Sequence, residues 1–292
     1  MFQGQKPLRA SQRCQAKSIS FYGIVVYPEL EGIILMDTIA IHNEIGRYWD
    51  GIAQWYGERD ENEATAFLKG GGSDLEDNEK VLLGDLAPWC KRAIHLQCSH
   101  GNDALALLLQ GAHEVVGVDI SERLIAVARR KTEALGARAT WYHSDVLQTP
   151  EILNGTADLV YTGKGALCWM MDLTAWAEVV VRLLTPGGRL FIYEGHPLDW
   201  VWDTEAKDYV LDRNYGDYFS EEFKKQLFLA QDATPWQRQW TLGQIINTVT
   251  GAGLVIEQLH EYPEPFWGQF PNIPDQTLHK LPHTFALLAH KP

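Results

Sequence analysis

The sequence predicts an α/β domain built on a Rossmann-like, doubly wound seven-stranded sheet that ends in one antiparallel strand. Short apolar runs alternate with segments of helical periodicity, the pattern of parallel crossover units. The runs are apolar on both faces, as strands covered by helices on each side must be. The last two runs, VIEQLHEYP and TFALLAH, are joined by a loop too short for a covering helix, so they form a hairpin and the final strand runs antiparallel. A chain of 292 residues, 46% hydrophobic, is long enough to bury one large core or two small ones, and a one-domain reading is allowed.

Residues 1–36 form an extension of unclear role. A basic start (Lys6, Arg9, Arg13, Lys17) leads into YGIVVYPELEGIILM, interrupted by Pro28 and Gly32, which reads either as a short docked strand or as a loose attachment. The domain proper spans 37–292. Ile39, Ile41, Ile45, Tyr48, Trp49, Ile52, Ala53 and Tyr56 recur at helical spacing and predict one or two apolar-faced helices, an N-terminal helical lid over 40–60. The polar, acidic stretch 58–80, with Gly70, Gly71 and Gly72, reads as a mobile connection or a short helix plus turn.

AIHLQ is the first core strand, CSHGND its turn, and Ala104 to Leu109 the helix that Gly111 closes. HEVVGVD is the second strand; Ser121 caps the next helix, which runs to Gly136. ATWYHSD and ADLVYTG are the third and fourth strands, Leu173–Leu184 a helix, TPGG a turn and RLFIYEG the fifth strand. Residues 198–240 break the rhythm with aromatics and acids, and with a helical face at Phe223, Leu227 and Phe228, so they predict an inserted cap over the carboxyl edge of the sheet.

The formal charge of -13 opposes a polyphosphate partner, and the basic run 123–132 fits the solvent face of an amphipathic helix, so nucleic acid is not expected. Cys14, Cys90, Cys98 and Cys168 lack the paired spacing of a metal knuckle or disulfide framework, so no metal is expected and a reducing, cytoplasmic setting fits best. No apolar run suits a bilayer span or a secretory signal, and no membrane partner is expected.

Ligands of such sheets bind outside the carboxyl ends of the strands, where strand order reverses. Cys98, Ser99, His100, Gly101 and Asn102 fall there, entering a helix whose free amides can meet an anionic group. Asp119 closes the second strand and can accept from two ribose hydroxyls, and Asp145, after the third, can accept from an adenine amino group. Together they outline an adenosine ligand. Each also has a plainer reading, as a turn or helix-start acid, and Gly101 as a conformational glycine.

The ordered segments AIHLQCSHGNDALALL, VVGVDIS, YHSDVL, ADLVYTGKGAL and LLTPGGRLFIYEGHP resemble the successive motifs of class I S-adenosylmethionine-dependent methyltransferases, over about residues 37–291. The resemblance implies S-adenosylmethionine as cofactor. It places Cys98, Ser99, His100 and Gly101 at the methionine part, Asp119 at the ribose, Ile120 against adenine, and Asp145 with Ser144 and Val146 at the adenine edge. Tyr161, Thr162, Gly163 and Lys164 then face the sulfonium and the acceptor. YWDGIAQWY resembles the family's N-terminal aromatic lid, with Tyr56 at the carboxylate end of the cofactor. One departure stands out: Gln97 and Ser99 occupy the first two of three positions where the family's loop usually has glycine. A pyrophosphate needs close backbone approach more than methionine does, so nicotinamide binding is disfavoured.

Methyl transfer to a small-molecule acceptor, on oxygen or nitrogen, is therefore the expected activity. A non-catalytic S-adenosylmethionine-binding regulator is the alternative, and an NAD-dependent oxidoreductase a weaker one. His196, after the fifth strand, is the best-placed neutral base for an acceptor proton, with Tyr161 orienting the acceptor. Trp169, Trp200, Trp202, Tyr215, Tyr218, Trp236, Trp240, Phe266 and Trp267 are candidates for the acceptor pocket, of which two to four are expected to reach ligand. Acceptor identity and oligomeric state are not encoded in any motif.

Overall fold

Seven strands form the central sheet: β1 (Arg92–Leu96), β2 (Glu114–Asp119), β3 (Ala139–His143), β4 (Ala157–Gly163), β5 (Leu184–Gly195), β6 (Val255–Tyr262) and β7 (Thr284–His290). Their order across the sheet is β6-β7-β5-β4-β1-β2-β3, and β7 runs antiparallel to both neighbours. This is the doubly wound topology expected, with the order reversing between β1 and β4. The computed structural model describes residues 24–25, 36–216, 218–220, 233 and 236–292. Most of the extension 1–36, and the expected helical face at Phe223, Leu227 and Phe228, lie outside the described residues.

The helices start and stop where their side chains satisfy the free backbone groups. α1 (Thr38–Ala53) is capped by Asp37, which accepts from Ile39 N at 3.3 Å, and continues through Gln54–Glu58 as a π-helical turn. α2 (Glu61–Lys69) and α3 (Asp77–Leu83) fill the stretch read as a connection, the latter opened by a reciprocal box between Glu76 and Glu79. α4 (Asn102–Leu109) follows β1, and α5 (Glu122–Leu135) is capped by Ser121 and closed by Gly136 at φ 61°. Asp172 caps α6 (Leu173–Leu183), and Thr241 with Gln244 boxes α7 (Leu242–Gly251).

One face of the sheet packs Ile94, Leu96, Val116, Val160 and Ile192 against α6 and α7, around the fully buried Trp176. The other packs Ala93, Leu159, Tyr161 and Phe191 against α3, α4 and Trp141. On α1, Ile41, Ile45, Tyr48 and Ile52 are buried with Trp169 and Met171.

Two local expectations change. TPGG is drawn into β5 as a bulge, where the register moves from Ala157 opposite Leu184 to Leu159 opposite Arg189. Within the basic run, Arg123 pairs with Glu58 and Arg130 with Glu61. Lys131, however, is buried, its ammonium bonded to Asn102 and His100. The sequence of α5 is amphipathic, but the α2 and α4 segments cover its flank, which linear periodicity does not reveal.

Candidate functional site

A cavity of about 630 Å³ opens at the carboxyl ends of β1, β2, β3 and β4, across the point where strand order reverses. β1 contributes His95 and the turn after it Gln97, Cys98, Ser99 and His100; β2 ends on Asp119, with Ile120 next; β3 is followed by Asp145 and Val146. Gly163 to Ala166 close it behind β4, α1 roofs it with His42, Ile45, Trp49 and Tyr56, and Trp169, Met170 and Trp267 add an apolar wall.

Asp119 is held by two backbone amides: Ser99 N donates to Oδ2 at 2.7 Å and Ser121 N to Oδ1 at 2.8 Å. Burial raises its pKa to about 6 against the downward pull of those two bonds. Each carboxylate oxygen keeps lone-pair capacity for a further donor. Asp145 caps the short turn after β3, accepting from Leu147 N at 2.9 Å, and its Oδ2 lies 2.8 Å from His42 Nδ1. Met171 N donates to His42 Nε2 at 3.2 Å, which assigns the His42 proton to Nδ1 and makes it the donor to Asp145. His42 carries no sequence motif; only the packing of α1 over the sheet reveals it.

The turn after β1 keeps a left-handed backbone without the usual glycines. Gln97 has φ 58°, Ser99 φ 50° and Gly101 φ 82°. Gly101 is required by packing as well as by conformation: a Cβ there would stand 2.5 Å from the Trp141 ring and 2.9 Å from Ala128. Its place is therefore behind the cavity wall, supporting the loop. Burial, and then Lys131, lower the His100 pKa to about 4, so the imidazole is neutral; its ring lies 5.4 Å from that of Tyr56.

A charged cluster borders the cavity between α3, α4 and β4. Lys164, at φ 58°, donates to Asp103 at 2.6 Å and pairs with Glu79 at 3.2 Å, while Tyr161 donates to Glu79 at 2.5 Å. Burial lifts the Glu79 pKa to about 7, with Lys164 opposing. For Lys164, burial pulls the ammonium down, but Asp103 and Glu79 outweigh it and raise its pKa. Glu79 and Lys164 were invisible as partners because 85 residues of chain (79 to 164) separate them.

The structure gathers Tyr56, Cys98, His100, Asp119, Ile120, Asp145 and Val146 around one cavity. Ser144, Thr162, Tyr161 and His196 do not line it. Ser144 donates to the Asp145 and Gln148 carbonyls, and Thr162 to the Leu96 carbonyl. Tyr161 is wholly buried beneath the wall, stacked on Phe191. His196 Nε2 lies 2.8 Å from Glu261, and Leu198 N donates to its Nδ1, so neither nitrogen is open. Of the nominated aromatics, Trp169 and Trp267 reach the cavity. Among the described residues of 198–240 none does: Trp240 donates to the Met170 carbonyl and Trp236 to Glu44. Among the described residues no His, Cys, Asp or Glu cluster suits a metal ion, and no helix is long and apolar enough to cross a membrane.

The residues fit an adenosine-type sulfonium cofactor. A buried carboxylate ends β2, a second follows β3 beside apolar Ile120 and Val146, and polar groups of His95, Gln97 and Ser99 in the wall lack partners.

Comparisons agree with this geometry. Residues 93–188 match a family model described as a methyltransferase domain. Demethylmenaquinone methyltransferase of Thermus thermophilus is 35% identical over 130 residues, which are 43% of this chain and 57% of that protein, so the match spans little more than half the relative's length. An S-adenosylmethionine-dependent methyltransferase from Mesorhizobium loti superposes with a TM-score of 0.57 at 20% identity, covering 73% of this chain and 95% of that one. Geranyl diphosphate C-methyltransferase from Streptomyces coelicolor A3(2) superposes with a TM-score of 0.59 at 12% identity, covering 86% and 98%.

Proposed function

On the premise that this chain has the fold of the class I S-adenosylmethionine-dependent methyltransferases, we propose that it binds S-adenosylmethionine and methylates a small-molecule acceptor on oxygen or nitrogen. The observation that carries the reading is Asp119, anchored by two backbone amides at the end of β2 and open to a cavity that continues to Asp145. When bound, the cofactor supplies a methyl group already activated by positive sulfur.

The chain's own part is to bind, align and exclude water. Asp119 takes the ribose hydroxyls. Ile120 and Val146 cover the adenine, and Asp145, oriented by His42, accepts from its amino group. Tyr56, His100 and Cys98 border the methionine side of the loop. Trp169, Met170 and Trp267 keep bulk water from the space beyond Gly163 and Lys164, where an acceptor would stand. Tyr161 acts as a positioning residue, through Glu79 and Lys164, and Ser144 and Thr162 brace the ends of β3 and β4. His196 braces the start of the inserted segment against β6 through Glu261.

An acceptor of small size is supported by the partly apolar wall of the cavity and by the net charge of -13, which disfavours nucleic acid. The 35% identical relative is named for a demethylmenaquinone acceptor, which is also a small molecule. The free thiols of Cys90, Cys98 and Cys168 support a cytoplasmic setting. Calorimetry with S-adenosylmethionine, S-adenosylhomocysteine and NAD, followed by a screen of small acceptors with methyl-labelled cofactor, tests the reading. Binding of NAD but of neither sulfur compound rejects it, and tight cofactor binding with no labelled product across the screen favours the regulatory alternative.

A further inference from the structure

His42 is buried on α1 and stands in a chain of hydrogen bonds whose two ends are backbone amides. On one side Met171 N reaches its Nε2 at 3.2 Å, and on the other its Nδ1 lies 2.8 Å from Asp145 Oδ2. Leu147 N reaches the second oxygen of that carboxyl, Oδ1, at 2.9 Å. A backbone amide N–H only donates, so the ends set the direction of everything between them. Nε2 accepts from Met171, which leaves the ring proton on Nδ1. Nδ1–H then donates to Oδ2 while Leu147 N–H donates to Oδ1. Neither the imidazole nitrogens nor the carboxyl oxygens are left a choice of role.

The consequence falls on the cavity, which Asp145 lines together with His42 and Val146. A carboxyl with an N–H aimed at each oxygen presents only lone pairs to a group that enters. It is also held against rotation, since turning its last torsion would break both bonds. An exocyclic amino group meets it with a hydrogen, whereas a carbonyl oxygen at the same ring position meets it lone pair against lone pair. Bonded to Leu147 alone, the acid would keep one oxygen free to carry a proton and so to bond a carbonyl. The imidazole of α1 removes that freedom.

Resting on the reading above, we propose that His42 is a positioning residue that makes Asp145 a one-way acceptor, and through it restricts the base of the cofactor to a 6-aminopurine. His42 does this through Asp145, 103 residues away in the chain. The selection is therefore built into the helix that roofs the cavity, as well as into the turns at the strand ends.

The test is calorimetry on the full chain with S-adenosylhomocysteine and S-inosylhomocysteine, which share the ribose and the amino-acid end and carry an amino group and a carbonyl, respectively, at the purine 6-position. The unaltered protein is expected to bind the inosyl compound about thirtyfold more weakly or worse. His42→Phe, which fills the space without a donor, should bring the two dissociation constants within about threefold of each other, chiefly by weakening the adenosyl compound. His42→Gln again offers one N–H and one carbonyl oxygen, and it should restore about tenfold discrimination, a rescue that a packing role would not give. Nitrogen NMR of the unaltered protein, with the His42 signals assigned by their loss in His42→Gln, should find the proton on Nδ1, and this reads the chain even where His42→Phe does not fold. A proton on Nε2, undiminished discrimination in a folded His42→Phe, or discrimination lost in both variants overturns the proposal. Equal binding of the two compounds by the unaltered protein also overturns it, while the cofactor reading stands. Should the unaltered protein bind neither compound, the methyltransferase reading itself falls and takes this inference with it.

Discussion

Cofactor affinity should depend on pH through Asp119. Its carboxyl has a pKa raised from 3.8 to about 6, chiefly by burial, while Ser121 and Ser99 amides pull the other way. Ribose hydroxyls donate to the ionised form, so binding selects the carboxylate. At pH 5 only about one molecule in ten carries it, and the dissociation constant for S-adenosylhomocysteine should be about tenfold weaker than at pH 7.5. Without ligand the sign is opposite. A carboxyl whose folded pKa exceeds its unfolded value contributes stability that is full below pH 3.8 and is lost as pH rises through about 6. The contribution is on the order of 3 kcal/mol, so the ligand-free protein should lose stability over the interval in which ligand binding strengthens. Calorimetry and thermal unfolding at half-unit pH steps from 5 to 7.5 measure both slopes. Asp119→Asn removes the titrating group and should flatten the binding profile at a weaker affinity. A flat profile in the unaltered protein refutes the assignment. So does an undiminished slope in Asp119→Asn, which would pass the effect to another group such as Glu79, with its pKa of about 7.

Four further outcomes are expected. Gly101→Ala should destabilise the fold by about 3 kcal/mol or more, read by denaturant unfolding, because its Cβ would meet Trp141 and Ala128 at positive φ; a neutral result would show that the loop can relax. Ser99→Gly should gain about 1 kcal/mol, seen as a higher unfolding midpoint, since φ 50° strains serine and its Oγ has no partner to lose. His42→Ala should cost about 2–4 kcal/mol in denaturant unfolding, because a buried Asp145 oxygen and the Met171 amide both lose their partner, and a small change would mean that water replaces the imidazole. Tyr56→Ala should raise the cofactor dissociation constant with unfolding stability nearly unchanged, since the ring lines the cavity while 45% exposed; unaltered affinity would remove Tyr56 from the site.

Much of the fold was legible because its signals are local. Apolar runs alternating with helical segments, Ser121 and Gly136 bounding α5, and the short connection between the last two strands each reflect chemistry within a few residues. The positions of Asp119 and Asp145 followed from the same logic, since in a parallel sheet the carboxyl end of every strand faces one edge. What the sequence could not state is which distant groups meet there. His42 and Asp145 are 103 residues apart and share a buried hydrogen bond only because α1 folds across the strand ends. Glu79, Tyr161 and Lys164 form one cluster because α3 leans on β4, although the stretch carrying Glu79 read as a connection. His196, well placed by strand order, is turned into a contact with Glu261 by the neighbouring β6–β7 hairpin. Strand ends and caps are decided by periodicity and short-range hydrogen bonds, which the sequence determines by itself. Whether a polar side chain faces a cavity or a partner is decided by long-range packing, which only the tertiary structure shows.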